Sequence, residues 1–66
     1  MSPNQKKLLS IAAELRAGGM PWEQVALHLH RRMNTCAKWT SRYRAEWQEL
    51  YRDAQQKRIE DAGNEG

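Results

Sequence analysis

The chain has little of what usually stabilises a very small domain. Its 66 residues include a single cysteine, Cys36, which excludes an internal disulfide and a four-cysteine zinc site. A domain of this length buries only about 60% of the surface that its unfolded chain exposes, so its core is small. We therefore expect one domain, held by packing alone, in a reducing compartment such as the cytoplasm.

Long hydrophobic runs are also absent. No apolar stretch approaches the roughly 18 residues needed to span a bilayer. The amino-terminal segment MSPNQKKLL lacks the apolar region of a signal peptide. The sequence therefore predicts a protein without membrane partners.

Acidic residues are missing from one continuous window, Gln24 to Ala45. The net charge is only +3, so the separation of charge is more informative than its total. A basic surface of this kind either attracts a polyanion or only keeps the protein in solution. The basic residues inside the window are Arg31, Arg32, Lys38, Arg42 and Arg44.

The first two segments are predicted to be short amphipathic helices, about residues 3–17 and 21–29. A Ser-Pro pair starts the first, because serine caps a helix and proline suits its first turn. Gly18 and Gly19 end it, since glycine readily adopts the left-handed conformation. Each helix has apolar residues at i, i+3, i+4 and i+7, which are Leu8, Ile11, Ala12 and Leu15 in the first and Trp22, Val25, Ala26 and Leu29 in the second.

The third segment is predicted to be one long helix, about residues 34–58, followed by a mobile polar tail at 59–66. Neither glycine nor proline interrupts it before Gly63. At about 1.5 Å per residue it would reach some 35 Å, so its end should project or find a partner. Residues 30–33 would form the preceding turn. The apolar stripe repeats about every 3.6 residues through Cys36, Trp39, Tyr43, Trp47, Leu50 and Ala54.

The stretch GMPWEQVALHLHRRMNTCAKW, Gly19 to Trp39, resembles the bacterial helix-turn-helix pattern. That pattern has glycine before the second helix, a branched aliphatic residue beside alanine, and then leucine, threonine and an apolar residue at fixed spacing. The alanine must be small because two helices approach closely there. The matching residues here are Val25, Ala26, Leu29, Thr35 and Cys36.

The match departs from the pattern at the turn. Glycine, an apolar residue and serine or threonine are common where this chain has His30, Arg31 and Arg32. The left-handed residue and the helix cap are therefore open. Asn34 or Thr35 could cap the third helix instead, or the turn could be one residue longer than the common form.

The continuation with Trp47, Tyr51 and Ala54 is similar to that of phage-related helix-turn-helix proteins, including small terminase subunit amino-terminal domains and transposase-type modules. The resemblance implies an all-α, homeodomain-like domain of three helices with an extended third helix over residues 1–58. It also implies a DNA-binding role, as a small transcription regulator or a phage or mobile-element component.

In proteins of this pattern the third helix lies in the major groove of double-stranded DNA. Asn34 can pair both polar edges of adenine and Lys38 can reach guanine acceptors, so both are base-reading candidates. The alternative for Asn34 is a helix cap. Candidates for phosphate contacts are the neighbouring cationic and hydroxyl side chains, namely Arg31, Arg32, Thr35, Ser41, Arg42 and Arg44.

Evidence for other chemistry is weak. His28 and His30 point to different sides of a helix and lack metal-ligand spacing with Cys36. No nucleophile has a base near it in the sequence pattern. We expect no metal, no cofactor and no enzymatic activity.

The alternative function is a helical protein-interaction module. In that interpretation Trp47, Leu50 and Tyr51 dock a partner, and the basic turn only solubilises the chain. The same three residues offer a strip for a homodimer or a larger oligomer, since one small module reads only a few base pairs. The acid-free window favours DNA binding.

Overall fold

The computed structural model describes the backbone of residues 2–64 and the side chains of residues 2–57, and this part of the chain contains helices and no strand. The helices are α1 (Pro3–Ala17), α2 (Trp22–Leu29), α3 (Met33–Arg42) and α4 (Arg44–Asn64). The prediction of an all-α fold is confirmed. Among the described residues no helix has the length and apolar character that crossing a membrane requires.

The ends of α1 follow from the residues that border it. Ser2 Oγ accepts a hydrogen bond of 3.2 Å from the backbone N–H of Gln5. At the other end Gly19 has a φ of 92°, and the N–H of Met20 donates to the carbonyl of Leu15 at 3.1 Å. A left-handed glycine with this bond closes a helix by satisfying its last carbonyl groups. Both predicted ends of α1 are therefore confirmed.

The end of α2 has the same geometry without a glycine. His30 lies in the left-handed region, with φ 55° and ψ 44°. Its N–H donates to the carbonyl of Leu27 at 3.3 Å, and the N–H of Arg31 donates to that of Ala26 at 3.0 Å. His30 thus takes the conformation in which glycine is common, and the chain leaves α2 in a three-residue turn, residues 30–32.

The predicted single helix over residues 34–58 is wrong, because the chain bends at Tyr43. This residue has φ −118° and ψ 46°, outside the helical range. Hydrogen bonds still cross the bend, from the N–H of Tyr43 to the carbonyl of Trp39 at 3.0 Å and from the N–H of Trp47 to the carbonyl of Tyr43 at 2.7 Å. The bend turns α4 back along α1, which buries Trp47 to 8% exposure. A straight helix would instead carry Trp47 away from the core.

The carboxyl-terminal boundary also differs from the prediction. α4 continues to Asn64, past residue 58, where the helical domain was expected to end. The mobility of residues 59–66 stays a prediction, because their side chains and residues 65–66 lie outside the part of the chain that the structure describes.

One hydrophobic cluster joins all four helices. Val25, Ala26, Leu29 and Trp39 are buried together as predicted. Trp39 is 5% exposed and lies on α3, so it fixes that helix against α2. Leu15 and Tyr43, which also belong to the predicted apolar stripes, are half-buried and pack against the edge of this cluster.

The buried side of α1 is rotated relative to the predicted stripe. Leu9, Ala12 and Ala13 are fully buried, whereas the predicted Leu8 and Ile11 are half-buried beside them. The small Ala12 and Ala13 side chains let neighbouring helices approach closely. The sequence could not fix the rotation, because apolar residues surround most of α1.

Replacing Trp39 by alanine should leave the domain largely unfolded. Loss of a buried tryptophan costs about 3–5 kcal/mol, and the core of a domain this small rarely supplies more than about 3–5 kcal/mol of stability. Thermal melting followed by circular dichroism measures the effect. Leu27→Ala is the matched control, since Leu27 is 66% exposed and its loss should leave the midpoint almost unchanged. A Trp39→Ala midpoint near that of the wild type would contradict the core assignment.

His30→Gly should not destabilise the domain, whereas His30→Val should. A residue with a side chain loses roughly 1–2 kcal/mol of stability in the left-handed region, and glycine avoids this loss. Part of the gain is offset because glycine makes the unfolded chain more flexible. A β-branched residue tolerates positive φ least. Urea denaturation gives the free energies of unfolding. Equal values for the two variants would mean that His30 is not left-handed in solution.

Candidate nucleic-acid interface

α3 has one buried side and one side open to solvent. Cys36 is fully buried and Trp39 nearly so. Successive helical residues are about 100° apart, which places Asn34, Lys38 and Ser41 on the opposite side. The exposed side chains there are Asn34, Thr35, Lys38, Ser41 and Arg42.

The two predicted base-reading residues lie next to each other on this exposed side. Asn34 and Lys38 are four residues apart, one turn along α3, so their side chains are neighbours. Arg32 occupies the cap position of α3 in an extended conformation, without a capping hydrogen bond from its side chain. Asn34 is thus inside the helix and not its cap, which leaves its amide group available to a ligand.

A shallow, open groove runs along the same side of α3. Its lining consists of Thr35, Lys38, Trp39, Ser41 and Arg42. The Arg42 guanidinium carbon lies 5.7 Å from the centre of the Tyr43 ring. A cation over an aromatic ring gains about 0.5–1 kcal/mol at an exposed site, so the bend at Tyr43 helps to position Arg42.

The turn before α3 supplies two more cations, Arg31 and Arg32, which are both exposed. Arg31 Nη1 donates hydrogen bonds to the carbonyls of Leu29 at 3.4 Å and His30 at 3.2 Å. A guanidinium group has five N–H donors, so Arg31 can hold the end of α2 and still contact an anion.

Cys36 is a fully buried core residue of α3. Burial raises the pKa of its thiol above the ordinary value, and the nearby Arg31 guanidinium acts in the opposite direction with a smaller effect. A raised pKa keeps the thiol protonated at neutral pH, and a protonated thiol is a poor nucleophile and metal ligand.

The predicted phosphate contacts are spread over three elements. Arg31 and Arg32 belong to the turn, while Thr35, Ser41 and Arg42 belong to α3. Arg44 is the first residue of α4, beyond the bend, and all six side chains are exposed. We call these six residues, together with Asn34 and Lys38, the basic face.

The aromatic strip predicted to bind a partner packs largely against its own chain. Trp47 lies with its ring centre 5.3 Å from that of Trp22 and 6.0 Å from that of Tyr51. Arg16 also contacts this aromatic group, with its guanidinium carbon 5.2 Å from the centre of the Trp22 ring. Leu50 and Tyr51 are half-buried against the core. Only their exposed parts remain for a second copy or another protein.

The role of Arg16 was not predicted from the sequence. Arg16 Nη1 also donates a hydrogen bond of 2.9 Å to the carbonyl of Met20. Its position in the last turn of α1 was the available signal, because cations favour helix carboxyl termini. Arg16 fixes the connection between α1 and α2 and lies outside the basic face.

In the described part of the chain, no three His, Cys, Asp or Glu residues come together in a way that could hold a metal ion. The chain matches no protein-family model, no curated protein and no solved structure. Its function must therefore be inferred from its own surface, and the basic face is the part with the most distinctive chemistry.

Proposed function

We propose that this chain is a helix-turn-helix module, homeodomain-like in arrangement, that binds double-stranded DNA with α3 in the major groove. The observation that carries the proposal is the composition of the basic face. Its polar pair Asn34 and Lys38 is exposed at the start of α3, within a window that contains no acidic residue. Duplex DNA carries one negative charge per about 1.7 Å of its axis and attracts such a surface strongly.

The connection between α2 and α3 supports this proposal. The two helices are joined by residues 30–32, with left-handed His30 where the helix-turn-helix pattern commonly has glycine. Ala26 is 4% exposed and belongs to the cluster that joins α2 to α3. A short turn and a small buried residue let the first helix of such a pair support the second.

The dimensions of α3 also suit the proposal. The bend at Tyr43 limits α3 to ten residues, about 15 Å of helix. The major groove is about 12 Å wide, which admits an α-helix because its diameter with side chains is about 10–12 Å. Arginines lie at both ends of α3, in the turn and at the start of α4, where the two DNA backbones would border the groove.

The protein-interaction module has less support. Its docking strip depended on Trp47, which is 8% exposed because it packs inside this chain. The DNA-binding role fits a small transcription regulator as well as a phage or mobile-element component, since both use such modules.

Substitutions on the basic face should separate phosphate contacts from base contacts. Arg44→Ala or Arg42→Ala should weaken binding to all duplexes alike and reduce the slope of log affinity against log salt by about one. Lys38→Ala or Asn34→Ala should cost about 1–3 kcal/mol on the preferred sequence and much less on random DNA. Fluorescence anisotropy on a duplex selected from random sequences, with a scrambled duplex beside it, measures both effects.

Arg52→Ala is the matched control. Arg52 is also exposed on α4, two turns beyond Arg44, but it is next to Asp53 and outside the acid-free window. It should keep wild-type affinity and salt dependence. Equal losses on preferred and scrambled duplexes for all four variants would show that α3 reads no bases. Negligible affinity for any duplex at low salt would favour the protein-interaction module.

Two copies of the chain should bind one preferred duplex, because a single α3 can contact only a few base pairs. The exposed parts of Leu50 and Tyr51 on α4 are the surface that we propose for this pairing. Sedimentation velocity with and without DNA gives the stoichiometry. A monomer at high micromolar concentration in both experiments would argue against pairing.

A further inference from the structure

The start of α3 carries an exposed apolar side chain beside the proposed base-reading residues. Met33 is the first residue of α3 and is 49% exposed. Among the side chains of residues 2–57, the only other large hydrophobic one exposed to this degree is Leu27. A single exposed apolar residue is common in proteins, so the position of Met33 matters more than its exposure.

Together with Ala37, Met33 forms an apolar row along α3, beside the polar row of Asn34 and Lys38. Met33 and Ala37 are four residues apart, as are Asn34 and Lys38, so the two pairs lie side by side along α3. Ala37 is half-exposed. The side of α3 that faces solvent therefore offers hydrogen-bonding groups along one row and methyl and methylene groups along the next.

The positive charge around Met33 limits the kinds of ligand that can pack on its side chain. Arg31 and Arg32 precede it immediately, and Lys38 follows within two turns. A ligand that packs on Met33 must therefore present an apolar group within a strongly negative surface. The major groove of DNA has this combination, because thymine places a C5-methyl group among base edges that are otherwise polar.

We propose that Met33 reads thymine through its C5-methyl group, beside the base pair that Asn34 contacts, and that Ala37 borders the same contact. The inference rests on the proposed DNA-binding function and adds a preference for thymine to it. Methionine suits this role because its unbranched, flexible thioether adapts to a small apolar target. Adenine read by Asn34 and thymine read by Met33 together make the preferred site rich in A·T pairs at the position of the α3 amino terminus.

The test removes only the methyl group. In the duplex selected by the wild-type protein, each thymine is replaced in turn by deoxyuridine, which keeps the same pairing edge. Affinities are measured for the wild type, for Met33→Ala and for the control Leu27→Ala at one salt concentration. At one or two positions the wild type and Leu27→Ala should bind about fourfold more weakly, as expected for one methyl group returned to water.

Met33→Ala should bind the thymine and deoxyuridine duplexes equally well at those positions. Its melting midpoint should match that of the wild type, because the side chain lies outside the core, and this measurement excludes misfolding. A wild type insensitive to every replacement, a preferred duplex without thymine, or full sensitivity retained by Met33→Ala would overturn the role of Met33 and leave DNA binding intact. Absence of binding to every duplex at low salt would overturn the proposed function and this inference together.

Discussion

The burial of Cys36 and Trp39 on one side of α3 is the constraint on which the rest of the molecule depends. These two side chains pack with Val25, Ala26 and Leu29, so α3 cannot rotate without breaking the core. In a domain this small the core has no second layer to compensate for such a change. The rotation of α3 in turn decides which side chains face solvent. The exposure of Asn34, Lys38 and Arg42 is therefore a consequence of how Trp39 and Cys36 pack.

The bend at Tyr43 resolves a conflict between two buried tryptophans. Trp39 and Trp47 are eight residues apart, and a straight helix would place Trp47 about 12 Å further along the same axis. Trp22 and α1 do not lie on that axis. The backbone therefore departs from helical geometry at Tyr43, and Trp47 is buried against Trp22 and α1. An aromatic pair of this kind gains about 0.5–1.5 kcal/mol beyond the area that it buries. The bend also separates Arg42 from Arg44, which extends the basic face over two helices.

Much of the fold could be predicted from the sequence, because its signals are local. Ser2 and Gly19 mark the ends of α1, and the apolar stripe through Cys36, Trp39, Trp47 and Ala54 identifies side chains that are buried. The bend could not be predicted, because the N–H of Tyr43 keeps its hydrogen bond to the carbonyl of Trp39. The apolar stripe therefore keeps its helical period across the bend. Left-handed His30 escaped prediction because its conformation depends on bonds from residues 30 and 31 back into α2. For the basic face, the outward position of the polar residues of α3 followed from the stripe, whereas the placement of Arg44 on a second helix needed the bend at Tyr43.

The residues that bury α3 in the core differ from those that we propose to contact DNA, so the two groups can be substituted independently. Substitutions of exposed residues usually change stability by no more than about 0.5 kcal/mol, so a loss of affinity at Asn34 or Lys38 reports on the contact itself. Arg31 and Arg42 are different. Arg31 hydrogen-bonds to the carbonyl groups at the end of α2, and Arg42 stacks on Tyr43 at the bend. Removing Arg31 also removes hydrogen bonds to the backbone, and removing Arg42 also removes a contact with the Tyr43 ring. Arg44 has no such contact among those described for the basic face, and it therefore gives the cleaner measure of a phosphate contact.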